Sequence, residues 1–302
     1  MAIKTNCILC GSTSLERKGK IRTSKQIIAS KILECTSCSL VFLNDDTHIS
    51  ESHYQQSLMH DIPPDLNEYR TETQTDDLRR FKMLENNIVD KDILEAGSGN
   101  AGFMHLSKTI VKSIVGIEPD LKYYDIFLSE GLNVYKSLDD YYNCLDLSKS
   151  NTVDVIVSFH VIEHVKNPLA FLLQLLSVLK VKGKLFIETP NSNDALITLY
   201  ESSAFCDYTY WDNHLVLFNN ISFEFMLNKI SGINFKSIPV QRYGIANHLY
   251  WLSKGKPNGH KIWNMLENEE LNDMYKIRLS KARINDTLFY EITKMNSECK
   301  VI

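Results

Sequence analysis

Long apolar runs, a secretion signal and a strong excess of one charge are all missing from this sequence. No apolar run approaches the ~20 residues of a membrane span, and the N-terminus lacks the charged-then-apolar layout of a signal peptide. The net charge of −4 argues against a protein that coats nucleic acid. No internal repeat is present. We therefore expect a cytoplasmic globular protein, and its 302 residues allow one large core plus appendages or two domains.

Cysteine is also scarce, and four of the seven cysteines form two close pairs. Cys7 and Cys10 make one CxxC knuckle, and Cys35 and Cys38 make a second one 24 residues later. Two such knuckles supply the four thiolates that close a tetrahedron around Zn²⁺. A redox CxxC would not occur twice, and two disulfides are disfavoured in a reducing compartment. The sequence predicts a module at residues 1–44 with a structural zinc, because four protein ligands leave no open coordination position.

The segment between the knuckles is basic. Glu16 and Glu34 are its only acidic residues. One interpretation is the solvated face of a hairpin; the other is a positive surface that meets a phosphate-bearing substrate or a nucleic acid. The basic residues are Arg17, Lys18, Lys20, Arg22, Lys25 and Lys31.

Residues 45–85 are predicted to be a linker and a lead-in helix. The polar part carries scattered histidines and breaks at Asp61-Ile-Pro-Pro64, and it could fold over a ligand as a lid. Apolar residues then recur at helical spacing from Glu68 to Ile88. The histidines of the polar part, His48, His53 and His60, are interpreted as surface residues.

A glycine-rich turn organises the rest of the chain. The short apolar run Ile93-Leu94 is followed by Glu95-x-Gly97-x-Gly99-x-x-Gly102. Glycines are needed there because the turn is sharp and a ligand must approach bare backbone. The next apolar run ends in Glu118, placed to accept hydrogen bonds from the two hydroxyls of a ribose.

This fingerprint serves both NAD and S-adenosylmethionine (SAM), and Glu95 favours SAM. An acid beside the turn suits the cationic sulfonium and amino group of SAM, whereas a pyrophosphate prefers a neutral turn rich in N–H groups. Further strands alternate with helices as far as about residue 240, which predicts an α/β fold with a parallel sheet over residues 86–240. The run 152–159 is apolar on both faces, as in a central parallel strand, and His160 follows it at the ligand-binding edge.

Together these motifs resemble those of class I SAM-dependent methyltransferases. The resemblance is carried by Glu95-x-Gly-x-Gly-x-x-Gly102, Glu118, Phe159-His-Val-Ile-Glu-His-Val165 and Gly183-Lys-Leu-Phe-Ile-Glu-Thr-Pro190. With two zinc knuckles in front, the chain is similar to bacterial sugar methyltransferases, including deoxysugar C-methyltransferases and enzymes of surface polysaccharides. The resemblance implies a Rossmann-like seven-stranded sheet whose last two strands form an antiparallel hairpin.

The resemblance also assigns the cofactor site. It implies that Gly97, Ser98 and Gly99 surround the methionine part of SAM, that Glu118 binds the ribose and that Asp139 lies against the adenine. Phe159 and His160 would lie beside the methyl group. The candidate cofactor-binding residues are thus Glu95, Gly97, Ser98, Gly99, Glu118, Pro119, Asp139, Phe159 and His160.

The acceptor is expected to bind at a segment rich in aromatic residues. Tyr200 to His214 follows the fifth strand, so its rings either form the apolar wall of an acceptor pocket or pack against the C-terminal segment. Arg242 and the loop Lys254–Gly259 are candidates for holding a phosphate or carboxylate. Residues 241–302 are predicted to be a C-terminal extension, with a charged helical region from Leu266 to Ile292.

A histidine is the expected general base. A sugar hydroxyl is a poor nucleophile while protonated, and histidine accepts protons near neutral pH. His214 is the first candidate, followed by His160 and His248, whereas His164 is expected to be structural.

The sequence favours methyl transfer to a hydroxyl of a nucleotide-linked or glycan-linked sugar, more than C- or N-methylation. The alternative is an RNA methyltransferase that grips RNA with the basic zinc module; the net acidity and the lack of Asn-Pro-Pro-Tyr/Phe and Pro-Cys motifs weigh against it. A non-enzymatic scaffold that binds SAM or NAD is least favoured, because the glycines and both acids are intact. We expect a small-molecule or glycan acceptor, including phosphate-bearing forms, and the oligomeric state stays open.

Overall fold

The computed structural model describes residues 4–19, 31–49, 53–54, 65–144 and 152–302. Within these residues the chain forms two sheets, one of four strands and one of seven. Their strands are β1 (Leu15–Gly19), β2 (Ile32–Cys35), β3 (Val41–Leu43), β4 (Asp92–Ala96), β5 (Ser113–Ile117), β6 (Asn133–Tyr135), β7 (Val153–Phe159), β8 (Leu179–Pro190), β9 (Val216–Leu217), β10 (Ile233–Ser237) and β11 (Thr287–Lys294).

Helices cover the large sheet and fill the segment between its last two strands. Single 3₁₀ turns lie at Leu121–Tyr123, Ile162–His164 and Asn264–Leu266. The α-helices are α1 (Leu66–Ile88), α2 (Gly102–Ser107), α3 (Tyr124–Ser129), α4 (Leu138–Cys144), α5 (Pro168–Val178), α6 (Ala195–Thr198), α7 (Ser203–Thr209), α8 (Asn220–Leu227), α9 (Ile245–Lys254), α10 (Gly259–Ile262) and α11 (Glu269–Ala282). None of the described helices has the length and hydrophobicity needed to span a membrane.

The seven-stranded sheet has the order β10-β11-β8-β7-β4-β5-β6. Strands β4 to β8 are parallel, and β11 is antiparallel to both of its neighbours. The mostly parallel α/β sheet and its antiparallel final pair are therefore confirmed. The order reverses between β4 and β7, and doubly wound sheets bind ligands outside the carboxyl ends of strands at such a point.

The final two strands are not joined by a tight hairpin. Helices α9 to α11 lie between β10 and β11, and the last strand falls inside the region predicted to be helical as far as Ile292. That prediction is wrong beyond Ala282. Strand β11 is buried on both faces, as Leu288, Phe289 and Tyr290 show, so it lacks the alternation that marks a half-exposed strand.

Local sequence explains where α1 and α5 begin. The Asp65 side chain caps α1 by accepting from the backbone N–H groups of Asn67 and Glu68. Asn167 caps α5, and Pro168 occupies its first turn, where a missing N–H costs nothing. The predicted helix starting near Glu68 is thus confirmed, as is the helix that starts at Asn167-Pro168.

The small sheet joins the N-terminal cysteine module to the methyltransferase-like core. Its order is β1-β2-β3-β9, and β9 belongs to the core segment that directly follows His214. Val41 pairs with Leu217, and Phe42 pairs with Val216. The module therefore holds a segment of the core by backbone hydrogen bonds and by buried apolar contacts.

Candidate active site

A cavity of about 580 Å³ opens at the carboxyl ends of β4, β5 and β7. Its volume lies in the range of small-molecule sites. All nine residues that the sequence nominates for cofactor binding line it, although they come from four separate stretches of the chain: Glu95, Gly97, Ser98, Gly99, Glu118, Pro119, Asp139, Phe159 and His160.

The turn after β4 requires glycine at position 97. Gly97 has φ +81°, and a Cβ added there would lie 2.1 Å from Cγ2 of Val161. Its N–H donates to the carbonyl oxygen of Ile117 at 2.8 Å, which ties the turn to the end of β5. Any side chain would therefore strain the backbone and push the turn away from its neighbour.

Glu95 is a buried carboxyl group with an unused acceptor. It is 3% exposed, and its Oε2 has no hydrogen-bond partner among the described residues. Burial, followed by the negative charge of Asp77, raises its pKa well above the usual range. A buried acceptor at a cavity wall needs a donor from a ligand. The ammonium group of SAM supplies such a donor, so Glu95 fits SAM.

Glu118 closes the other side of the turn. Its Oε2 accepts from the N–H of Gly99 at 2.6 Å, and its Oε1 accepts from the N–H of Asp120 at 2.9 Å. Burial raises the pKa of Glu118 to about 7, although these two N–H groups oppose the rise. The carboxyl group sits at the tip of β5, where an adenosine ribose can donate to it.

His160 belongs to a buried charge network under the cavity. Its Nδ1 lies 3.1 Å from Oε1 of Glu163, and its Nε2 lies 3.1 Å from Oε1 of Glu188. Burial alone would lower the pKa of His160, but the two carboxylates raise it above the usual value. Because both ring nitrogens face carboxylates, the protonated form of the ring is favoured, which makes His160 a weaker candidate for a proton acceptor.

Helix α1 and Arg242 complete this network, and the sequence interpretation missed the part played by α1. Arg80 donates to Glu188 at 2.7 Å, and Arg242 pairs with Asp76. Burial would raise the pKa of Asp76, but Arg242 lowers it to about 2. The available signal was the row of charged residues on the buried side of α1, where Asp77 and Arg80 lie one turn apart.

His164 and His214 form a second, neutral pair. His164 lines the cavity, and the centroid of the His214 ring lies 5.1 Å from that of His164. His164 donates from Nδ1 to the carbonyl oxygen of Asn213, and His214 donates from Nδ1 to that of Thr209. Each Nε2 is therefore an acceptor, and neither has a hydrogen-bond partner among the described residues.

The pKa values of this pair favour the neutral state. Burial lowers the pKa of His164, and burial together with His164 lowers that of His214 to about 4. The carboxylate of Glu163 lies behind both rings, with ligating atoms of all three residues within 4.8 Å of one another. A proton received by either Nε2 would thus be stabilised by a nearby negative charge.

The third candidate base, His248, lies elsewhere. Its Nδ1 meets the hydroxyl of Tyr275 at 2.6 Å, and its ring packs against Tyr200. Burial lowers its pKa to about 4. His248 is not among the described residues that line the cavity, and neither is Lys254.

The aromatic segment also turns away from the cavity. Phe205 and Tyr208 pack against Trp251 of α9, and Tyr210 is buried against the small sheet. Of the two interpretations of these rings, packing against the C-terminal segment is the one the structure supports. The described cavity wall takes its aromatic residues from other elements, including Tyr69 and Phe171.

The four paired cysteines converge at the N-terminal end. Sγ of Cys7 lies 3.5 Å from Sγ of Cys38, and Sγ of Cys10 lies 3.4 Å from Sγ of Cys35. All four sulfur atoms lie within 4.8 Å of one another. Zinc–sulfur bonds of about 2.3 Å place the sulfurs of a tetrahedral site about 3.8 Å apart, so the cluster fits zinc.

The structure describes only part of the basic segment between the knuckles. Lys18 is paired with Glu34 at 2.6 Å across the β1–β2 pair. Lys20, Arg22 and Lys25 lie outside the described residues, as do His60 and the break at 61–64.

The described part of the linker contacts the His214 segment. Nε2 of His48 lies 2.8 Å from the carbonyl oxygen of Asp212, and Nε2 of His53 lies 2.6 Å from Oδ1 of Asn213. Tyr54 lines the cavity and donates to the carbonyl oxygen of His164 at 2.6 Å. The two histidines are therefore not simple surface residues.

No curated protein sequence matches the chain. A solved SAM-dependent methyltransferase from Archaeoglobus fulgidus is similar over 74% of this chain and 93% of its own, at 19% identity and a TM-score of 0.46. A possible histamine N-methyltransferase from Thermotoga maritima is similar over 76% of this chain and 96% of its own, at 15% identity and a TM-score of 0.46.

A family model described as a methyltransferase domain matches residues 66–230. The match covers more than half of the 302 residues and includes the glycine turn, both acids and the His164–His214 pair. The chain therefore belongs to the methyltransferase domain family and is a SAM-dependent methyltransferase of class I.

Proposed function

We propose that the protein methylates a hydroxyl group of a sugar, carried on a nucleotide or on a glycan, and that the His164–His214 pair provides the general base. The observation that carries the proposal is the protonation and hydrogen bonding of these two histidine rings. His164 lines the cavity and His214 packs beside it, and each of these two neutral imidazoles has Nδ1 committed to a backbone carbonyl and Nε2 open. A hydroxyl acceptor needs such a base, whereas a neutral amine already has a free lone pair.

In this proposal Glu95, Gly97, Ser98, Gly99 and Glu118 hold SAM. When bound, SAM supplies an electrophilic methyl group on a sulfonium. The chain's part is to align the acceptor hydroxyl with that group, since positioning accounts for much of the rate in a reaction of this kind.

Proton transfer falls to His164 because it lines the cavity. Its Nε2 would take the hydroxyl proton as the hydroxyl oxygen bonds to the methyl carbon and the bond from that carbon to sulfur breaks, with S-adenosylhomocysteine as the leaving group. Glu163 stabilises the imidazolium that results, and His214 packs behind the ring and keeps it in place. His160 keeps its proton throughout, because Glu163 and Glu188 hold it charged.

The cysteine module is proposed to bind a structural zinc that supports the base. Strand β3 pairs with β9, and the N–H of Leu43 donates to the carbonyl oxygen of Leu215 at 3.0 Å. These bonds fix the chain on the C-terminal side of His214. Zinc thus acts on the reaction through the position of this segment and has no contact with the cavity.

The test is an acceptor assay with matched histidine variants. Purified enzyme and SAM are incubated with nucleoside diphosphate sugars, glycans and RNA, and products are detected as a methyl mass increase. We expect methylated sugar, a kcat loss of about 10²- to 10⁴-fold in His164→Gln, and near-normal kcat in His248→Gln. Methylation of RNA alone would refute the sugar proposal, and an unchanged kcat in His164→Gln would refute the base.

A further inference from the structure

Helix α11 carries an exposed apolar stripe. Leu271, Met274 and Ile277 are 47%, 52% and 47% exposed, and their spacing of three residues places them on one side of the helix. The opposite side, with Asn272 and Leu279, is buried against the protein. The stripe therefore belongs to a helix that is already anchored and still presents apolar surface to solvent.

Charged residues flank this stripe with a twofold symmetry. Glu270 and Arg278 lie four residues before and after Met274 on α11. At 100° per residue, both fall with the stripe inside an arc of about 120°. Each of the two thus has a residue of opposite charge at the same distance on the other side of Met274.

We propose that α11 is a self-association surface on which two copies of this chain pair α11 with α11 in antiparallel orientation, with a twofold axis at Met274. Leu271 of one copy then lies opposite Ile277 of the other, and the two Met274 side chains meet at the axis. Glu270 faces Arg278 in both halves of the contact. An isologous contact of this kind closes on itself as a dimer.

The charges favour a second copy in this orientation over other arrangements. Glu270 and Arg278 are about 12 Å apart along the helix, so antiparallel pairing superimposes each on its opposite charge, whereas parallel pairing in register opposes like charges. Among the described residues, neither Glu270 nor Arg278 has an ion-pair partner. Exposed ion pairs select orientation more than they add affinity.

Exposed apolar residues also precede the helix. Met265, in the 3₁₀ turn before α11, is 79% exposed, and Leu266 is 40% exposed. A stable dimer needs more contact than one stripe, and in the proposed pairing these side chains would add to it. The surface lies on the helical insertion between β10 and β11, so dimerisation leaves the fold of the sheet unchanged.

Sedimentation velocity of the full chain tests this pairing. The wild type is expected to shift with concentration towards twice the 34.7 kDa mass of one chain. Glu270→Arg places four arginines around the axis and should raise the dissociation constant by about tenfold or more. Glu269→Arg is the matched control, because it makes the same charge change in the same turn but points about 140° away from Met274. Circular dichroism checks that both variants fold.

Charge exchange separates a specific contact from a general loss of stability. The double variant E270R/R278E should recover the wild-type dissociation constant, because every pair is restored with the signs reversed. Mixing the single variants E270R and R278E should likewise give a dimer although each alone is weakened. A wild type that stays monomeric at all concentrations, equal weakening by Glu269→Arg, or failure of both rescues would overturn the proposal.

Discussion

Substituting Gly97 by alanine should damage both stability and SAM binding, for two separable reasons. At φ +81° the backbone lies in the left-handed region, which destabilises an alanine by about 1–2 kcal/mol. Its Cβ would also lie 2.1 Å from Cγ2 of Val161, and overpacking of that kind costs about 1–3 kcal/mol. We therefore expect Gly97→Ala to lower the free energy of unfolding by about 2–5 kcal/mol.

Gly131 provides the control for the backbone cost alone. It has φ +72°, and a Cβ there would meet no heavy atom within 4 Å. Gly131→Ala should thus cost only about 1–2 kcal/mol and leave the affinity for SAM unchanged. The double variant Gly97→Ala with Val161→Ala removes the clashing methyl and should recover part of the lost stability.

Urea unfolding measures the stabilities, and calorimetry measures SAM affinity. In Gly97→Ala the affinity for SAM should fall by about tenfold or more, because the shifted turn misplaces the cofactor. A tenfold loss of affinity corresponds to about 1.4 kcal/mol of binding free energy. The reasoning fails if Gly97→Ala is no less stable than Gly131→Ala, or if it binds SAM as tightly as the wild type.

Three further results are expected. SAM affinity should fall about tenfold per pH unit below pH 7, because the pKa of Glu118 is about 7 in the free protein and a ribose hydroxyl binds the ionised carboxylate. Glu118→Gln should bind SAM weakly and with a flatter pH profile. A steep pH profile in that variant would contradict the assignment. Removing zinc with a chelator should lower kcat more than SAM affinity, because β3 holds the His214 segment and not the Gly97 turn, whereas the exposed Cys144→Ser should change neither. Met274→Glu should abolish dimerisation in sedimentation runs, because two carboxylates would meet on the axis; an unchanged dimer would place the axis elsewhere.

Features encoded by local spacing were predictable from the sequence. The glycines after Ile93-Leu94 and the acid at Glu118 predicted one wall of the cavity, because a sharp turn and a strand tip each leave a short pattern. The paired cysteines did the same for the cluster of four sulfur atoms. These separate stretches of chain meet at the cavity because parallel strands bring their carboxyl ends to one edge.

Features decided by long-range packing were not predictable. His164 looked structural because nothing in its neighbourhood shows that the 3₁₀ turn Ile162–His164 places it in the cavity wall beside His214. The aromatic segment packs on Trp251 of α9, which lies about 40 residues further along the chain. Strand β11 was taken for helix because a strand buried on both faces carries no alternation, and it directly follows a charged helix.

A crystal structure with S-adenosylhomocysteine tests the central claim most directly. We expect its amino group at Oε2 of Glu95, its ribose at Glu118 and its sulfur facing the wall formed by Phe159 and His164. A ligand bound elsewhere, or one whose sulfur points away from His164, would contradict the account.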